Sequence, residues 1–145
     1  MRQNIIDSAI VLFGSVGYEN TSLDQIATQA NTTTGPIYHY FKNKKDLFQT
    51  VTEIMEGQLL EDFDNFTVHQ ADKREIFNTF LNKCLNPAFR QIVLIDSPNI
   101  LGRDRWVNSS ITNKSLELFF GDVTKHHSVE FTLRKRLIIA AMTEL

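Results

Sequence analysis

The segment TSLDQIATQANTTTGPIYHYFKNKK, Thr21 to Lys45, constrains this 145-residue chain more than any other, because it carries start and stop signals for two short helices with almost nothing between them. Thr21 stands before Asp24 at capping-box-like spacing, so a hydroxyl and a carboxylate are placed to satisfy amides left unpaired in a first helical turn. Leu23, Ile26, Ala27 and Ala30 follow at helical spacing and define one inward face. Asn31 comes where that helix must stop, and asparagine enters the left-handed region at modest cost. Thr33 is then the natural N-cap of a second helix, with Pro36 in its first turn, where a missing N–H breaks no intrahelical bond. The pattern predicts two helices joined by a sharp turn.

At about 100° per residue, Ile37 and Phe41 of the second helix point one way with Thr34 near them. Gly35, Pro36 and His39 point the other way, and Tyr38 and Tyr40 occupy the shoulders. A helix with an apolar back and a small, polar and aromatic front suits a groove, where base edges are read from its N-terminal end and phosphates are gripped from its flanks. Gly35 permits close approach, Pro36 offers an apolar surface to a thymine methyl, and Thr34 and His39 carry polar groups. Tyr38 and Tyr40 have hydroxyls for phosphates, and Lys44 adds its charge to the positive N-terminal end of the following helix. Lys42 and Lys45 add salt-sensitive affinity. A capped helical hairpin with aromatics is equally compatible with plain core structure. Charge does not decide between them: Met1 to Thr50 holds Arg2, Lys42, Lys44 and Lys45 against Asp7, Glu19, Asp24 and Asp46.

From about Ile5 to Phe48 the chain resembles the DNA-binding domain of TetR/AcrR-family transcriptional repressors. The resemblance rests on Ala9, Phe13, Gly17-Tyr18, Thr21-Ser22, Ile26-Ala27, Ala30, Thr33, Gly35, Ile37-Tyr38, Tyr40-Phe41, Lys44-Lys45 and Leu47-Phe48. The chain departs from the family pattern at Asn31, usually glycine, at Thr32, usually aliphatic, and at Pro36, where Thr, Ala or Ser is commoner. The resemblance implies an all-α fold in which a three-helix helix-turn-helix domain is joined by a long helix to a helical regulatory domain. The expected division is 1–46 for the head, with the motif at about 22–41, and 47–145 for ligand binding and dimerisation. Thr21, Ser22, Thr33, Thr34, Gly35, Pro36, Tyr38, His39, Tyr40, Lys42 and Lys44 are its expected DNA contacts.

Composition limits the other classes. A net charge of −2 and an apolar fraction of 42% describe a globular chain rather than a polybasic or disordered one. The single cysteine excludes an intrachain disulfide and fits a cytoplasmic location. Cys84 shares an apolar helix face with Phe77, Phe80 and Leu81, which predicts packing rather than redox chemistry. The longest aliphatic run, Ile92 to Ile95, is far below the ~20 residues that cross a bilayer, and Asn4, Asp7 and Ser8 interrupt any signal-peptide pattern. Ile6, Ala9, Ile10, Phe13 and Val16 instead form an amphipathic helix that Gly17 can end.

Beyond the basic cluster, Asn43 can cap a long helix carrying Leu47, Phe48, Val51, Ile54, Met55, Leu59 and Phe63, the natural lever between the two halves. Asp72 and Glu75 start another helix that Pro87 interrupts. A further helix begins near Pro87 and breaks near Pro98, and one more begins near Arg103. Trp106, Ser110, Asn113, Leu116 and Phe120 share a face of mixed polarity, with Phe77, Phe80 and Phe89 as the opposite wall of an expected effector pocket. Asp96-Ser97 with His126 or His127 lacks the glycine-framed turn of a hydrolase, and the adjacent histidines lack a partner at ligand spacing. No catalytic residue, metal or cofactor is expected.

The apolar helical segment Val129 to Leu145 predicts homodimerisation, and against the resemblance the chain is short of the family's last helix. The expected protein is a cytoplasmic repressor. It binds a palindromic double-stranded operator as a homodimer through its C-terminal helix, leaves membranes alone, and is released by a small apolar or amphipathic effector. The alternative is a ligand-binding or protein-interaction module with a vestigial head.

Overall fold

The computed structural model describes residues 1–69, 72–120 and 133, and among these the chain is helical with no strand. The first three helices are α1 (Arg2–Val16), α2 (Leu23–Gln29) and α3 (Thr34–Tyr40). They lean on the N-terminal half of a long helix, α4 (Lys44–His69). Then come α5 (Lys73–Leu85), α6 (Pro87–Phe89), a π-helical segment Arg90–Asp96, α7 (Ser97–Ile100), α8 (Arg103–Val107) and α9 (Ser110–Phe120). The expectations for His126, His127 and the segment 129–145 fall almost entirely outside the described residues.

α4 is the spine. Leu47, Phe48, Val51, Met55, Leu59 and Phe63 are buried along one stripe, with Ile54 half-buried beside them. Its start is capped as the sequence suggests, Asn43 Oδ1 accepting from the Asp46 amide at 2.9 Å, while the Asp46 carboxylate accepts from the Lys42 amide. Acidic residues on its other faces meet basic partners from three neighbours. Asp62 faces Lys83 of α5 at 3.4 Å, Asp64 faces Lys114 of α9 at 3.2 Å, and Glu56 takes both guanidinium nitrogens of Arg105 from α8 at 3.1 and 2.9 Å. Glu56 is buried, so this bidentate pair provides the compensation a carboxylate needs away from water. One continuous cluster of buried apolar residues runs from Ile5 to Ile111, and the proposed boundary at 46/47 lies within the first turn of α4.

The run from Pro87 to Ile100 is helical throughout, which corrects the expected break near Pro98. A proline in an α-helix lacks the N–H and crowds the carbonyl four residues back. Here the widened turn ahead of it relieves that conflict: the Ser97 amide donates to Ile92, five residues back, and Pro98 occupies the first turn of the resumed α-helix. The chain turns only at Gly102, with φ at +101°. At the other end, Asn86 caps α6 by accepting from the Phe89 amide, and Pro87 ends the α5 pattern as expected.

Cys84 is half-buried on α5, and burial pushes its thiol up to about 11. Its alkylation by iodoacetamide is therefore expected to stay slow at pH 8 and to rise with a midpoint near that value. A midpoint at the ordinary thiol value would contradict the packing described for this face.

Candidate nucleic-acid interface

α2 begins one residue later than its sequence signal suggests. Ser22, not Thr21, is the N-cap: its hydroxyl accepts from the Gln25 amide at 3.2 Å while Gln25 Oε1 accepts from the Ser22 amide at 2.7 Å. Thr21 is 3% exposed and donates its hydroxyl to the Gly17 carbonyl, which removes it from the expected DNA contacts. Asn31 does what its position requires. It lies at φ 51°, its amide donates to Thr28 and that of Thr32 to Ala27, the paired bonds that close a helix C-terminus around one left-handed residue. The family's usual glycine is thus replaced by the next most tolerant residue.

α3 follows after Thr33, which has the extended backbone of an N-cap but makes no side-chain capping bond. Ile37 and Phe41 are buried against the head's core and Thr34 is half-buried. On the outer side Tyr38 is 59% and Tyr40 40% exposed, His39 is exposed with its ring 4.9 Å from that of Tyr40, and Pro36 is half-buried. A Cβ built on Gly35 would meet only Thr33 Oγ1, at 3.8 Å. Nothing among the described residues therefore demands glycine at this position. Arg2, which the sequence reading left aside, sits 5.4 Å from the centre of the Phe41 ring, near the C-terminal end of α3, where helix geometry favours positive charge.

The lysines divide. Lys42 and Lys45 are exposed. Lys44 turns inward: its ammonium donates to the carbonyls of Tyr18 and Thr21 at 2.8 and 3.0 Å and lies 4.1 Å from the centre of the Tyr18 ring. Burial, then Glu19, raises the Tyr18 hydroxyl above its usual range. The 17–21 turn is thereby tied to the base of α4, a role for Lys44 that the sequence reading missed.

Residues 5–51 match the family of bacterial regulatory proteins described as the tetR family. The head of this chain is a tetR-family DNA-binding domain. It is 45% identical over 60 residues to the HTH-type transcriptional regulator AcrR of Shigella flexneri, covering 41% of this chain and 28% of that protein. It is 32% identical over 79 residues to the fatty acid metabolism regulator protein of Bacillus subtilis, covering 54% of this chain and 41% of that protein. The match therefore spans well under half of these curated relatives. A crystal structure of a TetR-family regulator from Pectobacterium atrosepticum superposes with a TM-score of 0.66 at 25% identity, over 99% of this chain and 78% of that one.

The C-terminal half is less like its expectation. A cleft of about 470 Å³ opens between α4 and the α8–α9 region, lined by Glu53, Glu56, Gly57, Leu60, Arg105 and Ser110 among others. Of the expected pocket residues, Ser110 reaches it. Phe89 is in the core instead, Phe80 stacks on Phe63 at 6.2 Å, and Phe77 and Asn113 are exposed. The side chains of Trp106 and Phe120 lie outside the described residues. Among the described residues no cluster fits a metal ion and no helix is long and apolar enough to cross a membrane. Ser97 is 1% exposed, out of reach of a substrate.

Proposed function

We propose that this chain is a cytoplasmic transcriptional repressor without catalytic activity, which binds a palindromic operator as a homodimer and leaves it when a small apolar or amphipathic effector enters the regulatory half. The observation that carries this reading is the outer face of α3. Exposed aromatic rings and an imidazole share α3 with a glycine whose missing side chain serves no purpose among the described residues, as expected where a backbone must approach an external partner closely. Ser22, Thr33, Thr34, Gly35, Pro36, Tyr38, His39, Tyr40 and Lys42 are the proposed contacts.

One head reads only a few base pairs, so useful affinity needs two heads about one helical turn apart. Selection of duplexes from a randomised pool at near-physiological salt, followed by sequencing, tests this. Recovery of an inverted repeat with half-sites about one turn apart supports the reading, and retention without sequence preference overturns it. Gly35→Ala supplies an independent check. It is expected to raise stability by about 0.5–1 kcal/mol, because alanine loses less freedom in a helix, while weakening operator binding. A variant both more stable and equally tight would show that α3 does not approach DNA at Gly35.

A further inference from the structure

We propose that Asp96 is a positioning residue for operator binding: its carboxylate holds the turn from which the DNA-reading helices start. The proposal rests on the DNA-binding reading above and concerns how the regulatory half controls the head.

The turn is Gly17 to Thr21. Gly17 leaves the helix at φ 81°, so the Tyr18 amide beyond it has no helical acceptor. That amide donates to Asp96 Oδ2 at 2.8 Å, a contact between residues 78 apart in sequence. The rest of the turn is committed elsewhere. The Tyr18 carbonyl accepts from Lys44 and from the Thr21 amide, the Thr21 carbonyl accepts from Lys44, and the Thr21 hydroxyl donates to Gly17. The Tyr18 ring packs on Phe13 and Phe48 at 5.8 and 4.8 Å. Lys44 thus grips this turn from α4, and Asp96 grips it from the regulatory half. Ser22, the N-cap of α2, is the next residue.

The π-helical segment explains how Asp96 arrives there. A Cβ on Gly17 would lie 3.3 Å from Gln91 Nε2 and 3.6 Å from Asp96 Oδ2, so both side chains crowd one glycine. In an α-helix residues five apart diverge by about 140°. An i→i+5 ladder brings them onto one face. Just ahead of that segment Ala88 lies against Gly14, where an added Cβ would lie 2.6 Å from the Ala88 Cβ. Gly14 on α1, Gly17 just past its end and one widened helix therefore form the seat from which Asp96 reaches the turn.

The test compares wild type, Asp96→Ala and Asp96→Asn on an operator duplex selected by the wild-type chain, with amide hydrogen exchange at Tyr18 followed by NMR. Asparagine keeps an acceptor oxygen and alanine does not, yet both remove the same negative charge. The expected result is near-wild-type behaviour for Asp96→Asn. For Asp96→Ala, protection at Tyr18 is lost and operator affinity falls about tenfold, while non-specific affinity and the salt slope stay unchanged. Should Asp96→Ala not fold, Asp96→Glu keeps the carboxylate but drives it toward Gly17, and it is expected to lower operator affinity in the same selective way. Loss of protection at Tyr18 with unchanged operator affinity overturns the proposal, as does retained protection. A folded wild-type chain that selects no duplex overturns the DNA-binding reading itself, and is told apart by failing before any variant is made.

Discussion

Replacing Phe48 by alanine is expected to cost about 3–5 kcal/mol, a large part of the stability of a chain this size. Phe48 is fully buried on α4, with its ring edge-on to Phe13 at 5.1 Å and to Tyr18 at 4.8 Å. The ring therefore fills the point where α1, the 17–21 turn and α4 converge, and these elements are fixed by other contacts that prevent collapse into the void. The cost should fall toward the upper end of the range for that reason. Urea unfolding followed by circular dichroism measures it. Leu85→Ala, at a side chain 73% exposed, provides the comparison and should change stability by about 0.5 kcal/mol or less. Equal effects at the two positions would mean that the core has been misplaced.

Lys44→Met should reduce operator affinity by roughly ten- to a hundredfold, and the manner of the loss is as informative as its size. A lysine that grips a phosphate contributes about one unit to the dependence of log affinity on log salt, and its removal weakens all DNA alike. Lys44 spends its ammonium on two backbone carbonyls and the Tyr18 ring. Methionine keeps most of the stem but leaves those half-buried carbonyls short of a donor, and the turn ahead of α2 loses its hold. Specific binding should fall while the salt slope changes by well under one unit, with a loss of stability of about 2 kcal/mol. Lys42→Ala should do the reverse, lowering the slope by about one unit with stability intact. Anisotropy titrations at four salt concentrations distinguish the two, and a full unit of slope lost in Lys44→Met would return that residue to the phosphate-contacting surface.

The contrast between these lysines marks where the chain is legible from its letters and where it is not. Signals that act within one helical turn read through well. Asn31 closes α2 in the left-handed region, Asn43 caps α4, Gly17 ends α1, and the apolar stripe on α4 faces inward as its spacing implies. One local miss, Thr21 for Ser22 as N-cap, arises because two adjacent hydroxyls both have a suitable residue three positions on, Asp24 and Gln25. What decides between them is a second local bond, since the Thr21 hydroxyl is committed to the Gly17 carbonyl four residues back. Contacts across long stretches of chain leave no comparable trace. Lys44 reaches back to Tyr18, and Asp96 to the same residue from much farther along. A lysine in a basic cluster reads as solvated until the fold supplies carbonyls for it. The π-helical segment is equally silent, although Pro98 marks the place where an α-helix would be in difficulty. The aromatic wall drawn from Phe77, Phe80 and Phe89 fails for a different reason: helical spacing tells which residues share a face, not which neighbour that face meets.

Gly14 and Ala88 meet almost backbone to backbone, with no long side chain between them to bend or change rotamer. Most helix contacts have that compliance, and a small displacement on one side is absorbed before it is felt on the other. Here there is no play in the joint. A tilt of the helix that starts at Pro87 must be followed by α1, and α1 carries the head, so this contact transmits motion in both directions with little slack. Under the proposed function, duplex bound at α3 would therefore be felt in the C-terminal half as directly as an effector there would be felt at the duplex, the reciprocity that any coupled pair of sites must obey.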